Sequence, residues 1–423
     1  MPFRLPAGLT LHRLRQLWYV PVLALALGMM FARIPLAARV LDVPEFGLFS
    51  VGMLLSSSFC MLGCLGFYVL LQRDLPMLIA KRRRIRGAVM LRQTLLLAVA
   101  GFACLLPLSF VSFFSVSPIF FAVSLFNGLS QQMFLVVTLQ SRSEGQSMRF
   151  AAENLGRAIA VIFVVGLSGM LSGDAAVMLF AEAMITLVIS TEIFFALCRQ
   201  RGLSSVALWF VAARGLIRVR WATPLTLLIT GVVGFVTMNG DRWLAAALLG
   251  HDQFALYAFA GIVLLLAQSV QSLLNVSIFP HLAHSYVLSG KLTTGRKALH
   301  YTAIVLAISL CLSFPAYWLT GYAIDVLFPN YGMSMQFLGW FFLIAALRMA
   351  DSLTSFLLIS GNEAWLLTIN LGAVGFSVLV WVALFAFGLA EMRSLTIVWL
   401  AVTVAVCNFT GCALFVLRGL RAV

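Results

Sequence analysis

The chain has 423 residues, 62% of them hydrophobic and 10% charged, with a mean hydropathy of +1.04 and a formal net charge of +14. A soluble protein of this length could not hide so much apolar surface, so the composition implies an all-α polytopic membrane protein. The positive charge would suit nucleic acid, but membrane proteins concentrate Lys and Arg on cytoplasmic loops, and no nucleic-acid partner is expected.

Met1 to Gln16 is basic, yet no small-residue cleavage site follows the first apolar run, so a signal peptide is not expected. Twelve runs long enough to span a bilayer then follow. They lie at about 17–40, 46–71, 88–112, 118–140, 151–170, 175–198, 221–249, 254–279, 298–320, 335–359, 364–389 and 395–417. Of the 28 Lys and Arg, 22 fall at the N-terminus, in every second loop and in the tail, including "KRRRIR" at 81–86. The opposite loops hold only Arg393 and are short, the longest running from about Gly321 to Ser334. This asymmetry predicts cytoplasmic termini and an even number of spans, with "KRRRIR" as a topology anchor.

The chain also repeats. "VLDVPEFGLFSVG" (40–52) and "LLGHDQFALYAFA" (248–260) lie 208 residues apart, each joining one span to the next. Phe46 matches Phe254, Leu48 matches Leu256, and Phe49 matches Tyr257; "LPML" (75–78) echoes "FPHL" (279–282). Two six-span halves, 1–210 and 211–423, follow from this spacing. Transporters built from parallel repeats place the substrate path between the halves.

Few charges remain inside the spans. Arg39 lies near Asp42 at the end of the first span and is expected to snorkel. Arg33 stands roughly 24 Å along the same span, at 1.5 Å per residue. Arg242 stands at a similar height in the seventh span, and at the 208-residue offset Arg33 aligns with its neighbour Asp241. Arg157 and Arg348 complete the deep cations. An Arg at the bilayer centre costs roughly 2.5–3.5 kcal/mol on insertion scales, so each should face protein or water. Glu153 precedes Arg157 by four residues and Asp351 follows Arg348 by three, spacings that allow local ion pairs. Arg33 has no acid within a helical turn. Asp241 and Arg242, being adjacent, point about 100° apart and should not pair. Glu182, Asp241, Asp351 and Glu153 are the candidate ion-coupling acids, because burial favours the protonated carboxyl; a structural ion-pair role is the alternative for all of these residues. No metal site or cofactor is expected. His281 and His284 lack a third ligand nearby, and the seven cysteines lie in or beside apolar runs without zinc-like or redox spacing.

Three segments carry a resemblance: "ARVLDVPEFGLFSVG" (38–52), "LQSRSEGQSMRFAAENLGRAI" (139–159), and "TMNGDRWLAAALLGHDQFALYAFA" (237–260) continuing to "IFPHLAHSY" (278–286). With the twelve-span layout, they resemble Wzx-type lipid-linked oligosaccharide flippases of the multidrug/oligosaccharidyl-lipid/polysaccharide exporter superfamily. The resemblance implies two pseudo-symmetric six-helix lobes around a central cavity, MATE-like, and alternating access coupled to protons or sodium. It implies carriage of an undecaprenyl-pyrophosphate-linked oligosaccharide to the periplasmic leaflet of the bacterial inner membrane, for O-antigen, capsule or exopolysaccharide. A polymerase and a chain-length regulator would be its assembly partners. Cationic cavity residues of such flippases meet the pyrophosphate and acidic sugars. By position Arg33 and Arg242 carry this over first, then Arg157 and Arg348. Guanidinium forks suit phosphate oxygens, and no Lys lies inside a span.

Rival readings differ in chemistry. A drug or cation antiporter of the same superfamily would favour acids and aromatics over Arg. A peptidoglycan-precursor flippase would usually carry fourteen spans. A membrane-embedded polymerase or glycosyltransferase would need a sizeable external loop, which the short outer loops do not provide.

Overall fold

The computed structural model describes residues 18–111, 116–201, 206–350, 352–386 and 394–421. These residues are helical, with no strand among them. Twelve helical segments among them are long and apolar enough to cross a membrane. The first six spans are carried by α1 (Tyr19–Val40), α2 (Val43–Leu62), α4 (Arg84–Leu105), α5 (Pro118–Ser143), α6 (Ser147–Ser172) and α7 (Ala175–Arg201), with α3 (Phe67–Ala80) following α2. The remaining helices are α8 (Ala207–Ile217), α9 (Ala222–Leu248), α10 (His251–Ala260), α11 (Ile262–Leu327), α12 (Met335–Met349), α13 (Ser352–Ile359), α14 (Glu363–Ala386) and α15 (Ser394–Arg421).

Local chemistry sets several boundaries. The Ser117 hydroxyl accepts from the Phe120 amide at 3.2 Å and caps α5, with Pro118 at its first position. Asp174 Oδ1 accepts from the amides of Ala176 and Val177 at 2.6 and 3.2 Å and starts α7. Hydropathy alone predicts continuous spans over 46–71 and 335–359, and the backbone interrupts both. The first breaks between α2 and α3, where Leu65 and Gly66 take positive φ. The second breaks after Met349, leaving Arg348 in the last turn of α12. Gly290, at φ 76° and ψ 178°, divides the 66-residue α11 into two arms. Residues 207–217, expected to lie in a loop, form α8: it packs on α4, where Gln93 Nε2 donates to the Ala212 carbonyl at 3.3 Å.

The chain forms two compact units: one takes residues up to Val40 and Leu55–Leu228, the other Leu41–Leu54 and Ile229 onward. In the first, α1 packs on α6, and α5 and α6 on α7. An apolar core there joins Leu71, Leu91, Val136 and Leu197. In the second, α11 packs on α12 and α13, and α15 on α12 and α14. Its core joins Leu282, Ala298, Phe356, Leu357 and Val416.

The "PEFGLF" stretch, which forms the first turns of α2, belongs to the second unit, where aromatic packing holds it. Phe46 lies 5.5 Å from Tyr331 and 6.2 Å from Phe259, centroid to centroid, and Phe259 stacks on Tyr331 at 4.3 Å. Such rings contribute beyond their burial. The matched positions of the repeat occupy equivalent places: Phe46 and Phe254, and Phe49 and Tyr257, are all buried in the helix that follows the turn. The first turns of α2 and α10 touch each other, and a Cβ at Gly47 would come within 2.3 Å of the His251 carbonyl oxygen.

Gly66 is the most demanding glycine of the first unit. Its φ is +81°, and a Cβ there would meet the Pro224 carbonyl oxygen at 2.0 Å. Gly66→Ala therefore adds about 1–2 kcal/mol of left-handed strain to a backbone collision that only a shift of α9 relieves. The expected result is a melting temperature several degrees lower in detergent and a reduced monodisperse yield by size exclusion. Wild-type behaviour would show that the α2–α3 junction is soft.

Candidate functional site

Among the described residues each unit contains a group of buried charges that brings arginines and an acid together. In the first unit, α1 brings Arg33 to Glu182 of α7, and Arg33 Nη1 forms an ion pair with Glu182 Oε1. Both are buried, Arg33 at 6% exposure and Glu182 at 0%. Gln131 of α5 donates from Nε2 to the same carboxylate oxygen at 3.3 Å and contacts Asn127 Oδ1 at 3.4 Å. Arg33, which has no acid near it along the chain, is thus paired across 149 residues.

Arg157 of α6 lies beside this pair, within electrostatic reach of Glu182, Arg33 and Cys60. Its guanidinium sits 4.6 Å from the Phe134 ring centroid, a cation–π contact, and its Nε donates to Thr186 Oγ1 at 3.5 Å. The local pairing expected from the sequence, Glu153 with Arg157, is not formed. Glu153 Oε1 instead accepts from Arg149 Nε and Ser141 Oγ, both at 2.9 Å. Packing decides this: Arg157 is turned to the Phe134 ring and Thr186, while Ser141 holds the Glu153 carboxylate beside Arg149. Glu153 is therefore part of a pair at the polar end of α6, which Arg149 extends to Gln200 Oε1 at 2.8 Å.

In the second unit Asp241 and Arg242 diverge as adjacent helical residues must. Asp241, buried on α9, accepts from the Tyr257 hydroxyl at 2.8 Å. Arg242, half-buried, donates from Nη2 to the Gly261 carbonyl at 2.9 Å, at the joint between α10 and α11. Arg348 is buried at 8% exposure and lies within electrostatic reach of Asp241, Arg242 and Tyr257. Its Nη1 makes no hydrogen bond among the described residues. Asp351, the partner expected for it, lies outside the described residues. Tyr257 is held by Phe337 and Phe341 of α12, with centroids 5.9 and 5.2 Å away.

Several of these partners escape a reading by spacing. Gln131, Thr186 and Phe134 are ordinary residues of apolar helices until packing brings them to Arg33, Glu182 and Arg157. Tyr257 carries a signal: it stands at the repeat position of Phe49, and the half that places an acid at the Arg33 position also adds a hydroxyl there.

Chemically, each group combines, among the described residues, two guanidiniums with one carboxylate: Arg33 and Arg157 with Glu182, and Arg242 and Arg348 with Asp241. Several buried polar atoms of the first group have no hydrogen-bond partner among the described residues, including Arg33 Nε, Glu182 Oε2 and Asn127 Nδ2. Unpaired polar atoms in a low dielectric are costly, so these atoms are candidates to meet a polar ligand.

No protein-family model matches the chain, and no curated protein matches it. Solved structures do. A multidrug resistance MATE family transporter of the MOP superfamily in an inward-facing conformation is 12% identical over 92% of this chain and 93% of its own, with a TM-score of 0.65. A mutant form of the Vibrio cholerae MATE transporter VcmN is 14% identical over 97% and 96%, with a TM-score of 0.62. An outward-facing MATE family transporter of the MOP superfamily is 12% identical over 96% and 94%, with a TM-score of 0.60. The chain has the fold of these transporters over nearly its whole length.

Proposed function

We propose that this multi-pass membrane protein is a flippase that carries an undecaprenyl-pyrophosphate-linked oligosaccharide across the bacterial inner membrane, with both termini cytoplasmic. The observation that carries this reading is the excess of buried cationic charge. Among the described residues of each buried group, two arginines face one acid. A pyrophosphate headgroup needs cations in a dry environment, and guanidinium forks bind it bidentately. The transporter fold and the three sequence segments that resemble Wzx-type flippases support the same conclusion. Arg33 and Arg242 are the leading phosphate contacts, followed by Arg157 and Arg348, with 1–210 and 211–423 as the repeat halves.

The second reading, a drug or cation antiporter, is favoured by the fold neighbours, two of them named as multidrug resistance transporters. The two differ in how coupling can work. A cationic drug can compete directly with a proton for one carboxylate. An anionic headgroup drawn to Arg33 competes with Glu182 for the guanidinium, so substrate and acid exchange at that pair. Exchange of an anionic substrate against protons or sodium must then be linked through conformation. Glu182 and Asp241 are the acids proposed for that link. Asp351 is a further candidate, and Glu153, tied to Arg149, is the weakest.

Deletion of the gene tests the choice. The expected result is loss of a surface polysaccharide with build-up of its lipid-linked repeat unit in the cytoplasmic leaflet. Normal polymer together with new sensitivity to cationic drugs would establish the antiporter reading instead.

A further inference from the structure

Helix α8 (Ala207–Ile217) crosses the spans of the first unit instead of running along them. Its Trp209 meets Arg92 of α4, whose guanidinium lies 5.5 Å from the centroids of both the Trp209 ring and the Phe194 ring of α7. Gln93, the next residue of α4, donates to the Ala212 carbonyl at 3.3 Å, and Gly215 leaves room for the same amide, which a Cβ there would meet. About 9 Å of α8, from Trp209 to Gly215, is thus spanned by contacts to two consecutive residues of α4. The crossing lies about 12 Å inside Arg84, where α4 begins. Arg92 also donates to Cys198 Sγ at 3.5 Å, close to the end of α7 at Arg201. A helix set across its neighbouring spans this near their ends has the placement of an interfacial helix.

The surface of α8 that faces away from α4 is divided in two. Phe210 and Ile217, at 69% and 86% exposure, stand about 20° apart round the helix and form an apolar edge. Arg214 and Arg218, both exposed, form a basic edge centred about 70° further round. No acid neutralises that edge along the chain. None occurs from Ile193 to Gly240, which holds α8, or from Leu75 to Ser143, which holds α4. On the adjoining helices, Glu192 of α7 stands about 200° round from Phe194, and Asp74 of α3 is bound by Arg73 at 2.7 Å. Apolar groups beside long basic side chains complement a surface that is hydrocarbon on one side and phosphate on the other.

We propose that α8 is a binding surface for an anionic phospholipid of the surrounding membrane, phosphatidylglycerol in class. Its phosphate meets Arg214 and Arg218, and its acyl chains lie against Phe210 and Ile217. This site uses none of the buried arginines assigned to the transported substrate, so it stands whichever substrate the protein carries. Through the lipid, the segment that joins α7 to α9 is held in the bilayer plane.

The test uses the full chain, purified in detergent and stripped of lipid. Bound phospholipid is counted by native mass spectrometry during titration with phosphatidylglycerol or with phosphatidylcholine of the same chains. The expected result is phosphatidylglycerol retained under conditions that remove phosphatidylcholine. Arg214→Gln should weaken the tightest phosphatidylglycerol site about fivefold, and Arg214→Gln with Arg218→Gln about thirtyfold. Phe210→Ser with Ile217→Ser, which keeps both arginines, should weaken it too. All four side chains are exposed or at the helix surface, so these variants should melt near the wild type in lipid-free detergent. Equal retention of the two lipids overturns the proposal. Wild-type affinity in the double arginine variant also overturns it, by assigning the lipid to another basic segment such as Lys81–Arg86. Displacement of the lipid by inorganic phosphate at equal concentration would make the arginines a site for free phosphate and overturn it. A lipid-free dimer that the double arginine variant dissolves would assign the surface to a second copy of the chain, with the same consequence.

Discussion

Arg33→Ala is expected to destabilise the protein by about 3–5 kcal/mol, the cost of leaving one member of a buried ion pair without its partner. Glu182 is fully buried, and Gln131 would remain as a neutral hydrogen-bond donor to it. The double variant Arg33→Met with Glu182→Gln removes both charges and should recover part of that loss, because a buried pair is often replaceable by groups of similar volume, but it also leaves buried Arg157 without its neighbouring acid. The same double variant should not recover surface polysaccharide, which is expected to fall at least tenfold in both. Thermal melts in detergent report the first quantity and polymer yield per inserted protein the second. The two readouts separate a structural role from a transport role. Recovery of polymer along with stability would make Arg33–Glu182 a fold element and remove Arg33 from the phosphate contacts.

The positions of the spans were legible in the sequence because hydropathy over about 20 residues is a local property. All twelve have counterparts among the described residues. Breaks within spans were less legible. Gly290 could have marked one, but an apolar helix tolerates isolated glycines, and Gly66 shows its need for positive φ only once Pro224 packs against it. The pairing of charges was partly legible. Asp241 and Arg242 diverge as their adjacency requires. Glu153 chose Arg149 over Arg157, although both stand four residues away, because Ser141 also donates to it and Arg157 packs on Phe134 and Thr186, partners that no helical spacing reveals. The partner of Arg33 was not legible at all. It lies on α7, and no spacing rule connects α1 to α7 before their packing is known. The same holds for the first half of α2. Its place in the second unit follows from Phe46 meeting Phe259 and Tyr331, a contact across more than two hundred residues.

The two buried groups share a composition without sharing a layout. In the first unit the acid comes from α7 and the arginines from α1 and α6. In the second, acid and arginine are adjacent on α9 and the other arginine comes from α12. An exact duplication would have preserved the helix of each charge. Among the described residues what persists is the balance, two arginines to one acid at each group, a balance suited to an anionic substrate. A cationic substrate would be repelled by it: at 4 Å two like charges cost about 4 kcal/mol at an effective dielectric of 20.

Arg242 gives the sharpest test of that argument, because it is only half-buried and has one donor already committed. Its Nη2 holds the Gly261 carbonyl at the α10–α11 joint, leaving the rest of the guanidinium edge for a ligand. Arg242→Ala removes both functions. It should cost about 1.5–3 kcal/mol, as expected for a hydrogen bond from a charged group, and abolish surface polysaccharide. Arg242→Lys keeps the charge, but an ammonium is a point donor and cannot hold Gly261 and present a planar fork to a phosphate together. Its expected phenotype is intermediate: stability near wild type, polymer reduced several-fold, and lipid-linked repeat unit accumulating in proportion. Full polymer with Lys would reduce the requirement at this position to charge alone. Undiminished polymer with Ala would exclude Arg242 from the transport path, and enhanced efflux of a cationic drug in the same variant would favour the antiporter, since removing the excess positive charge lowers the barrier only for a cation.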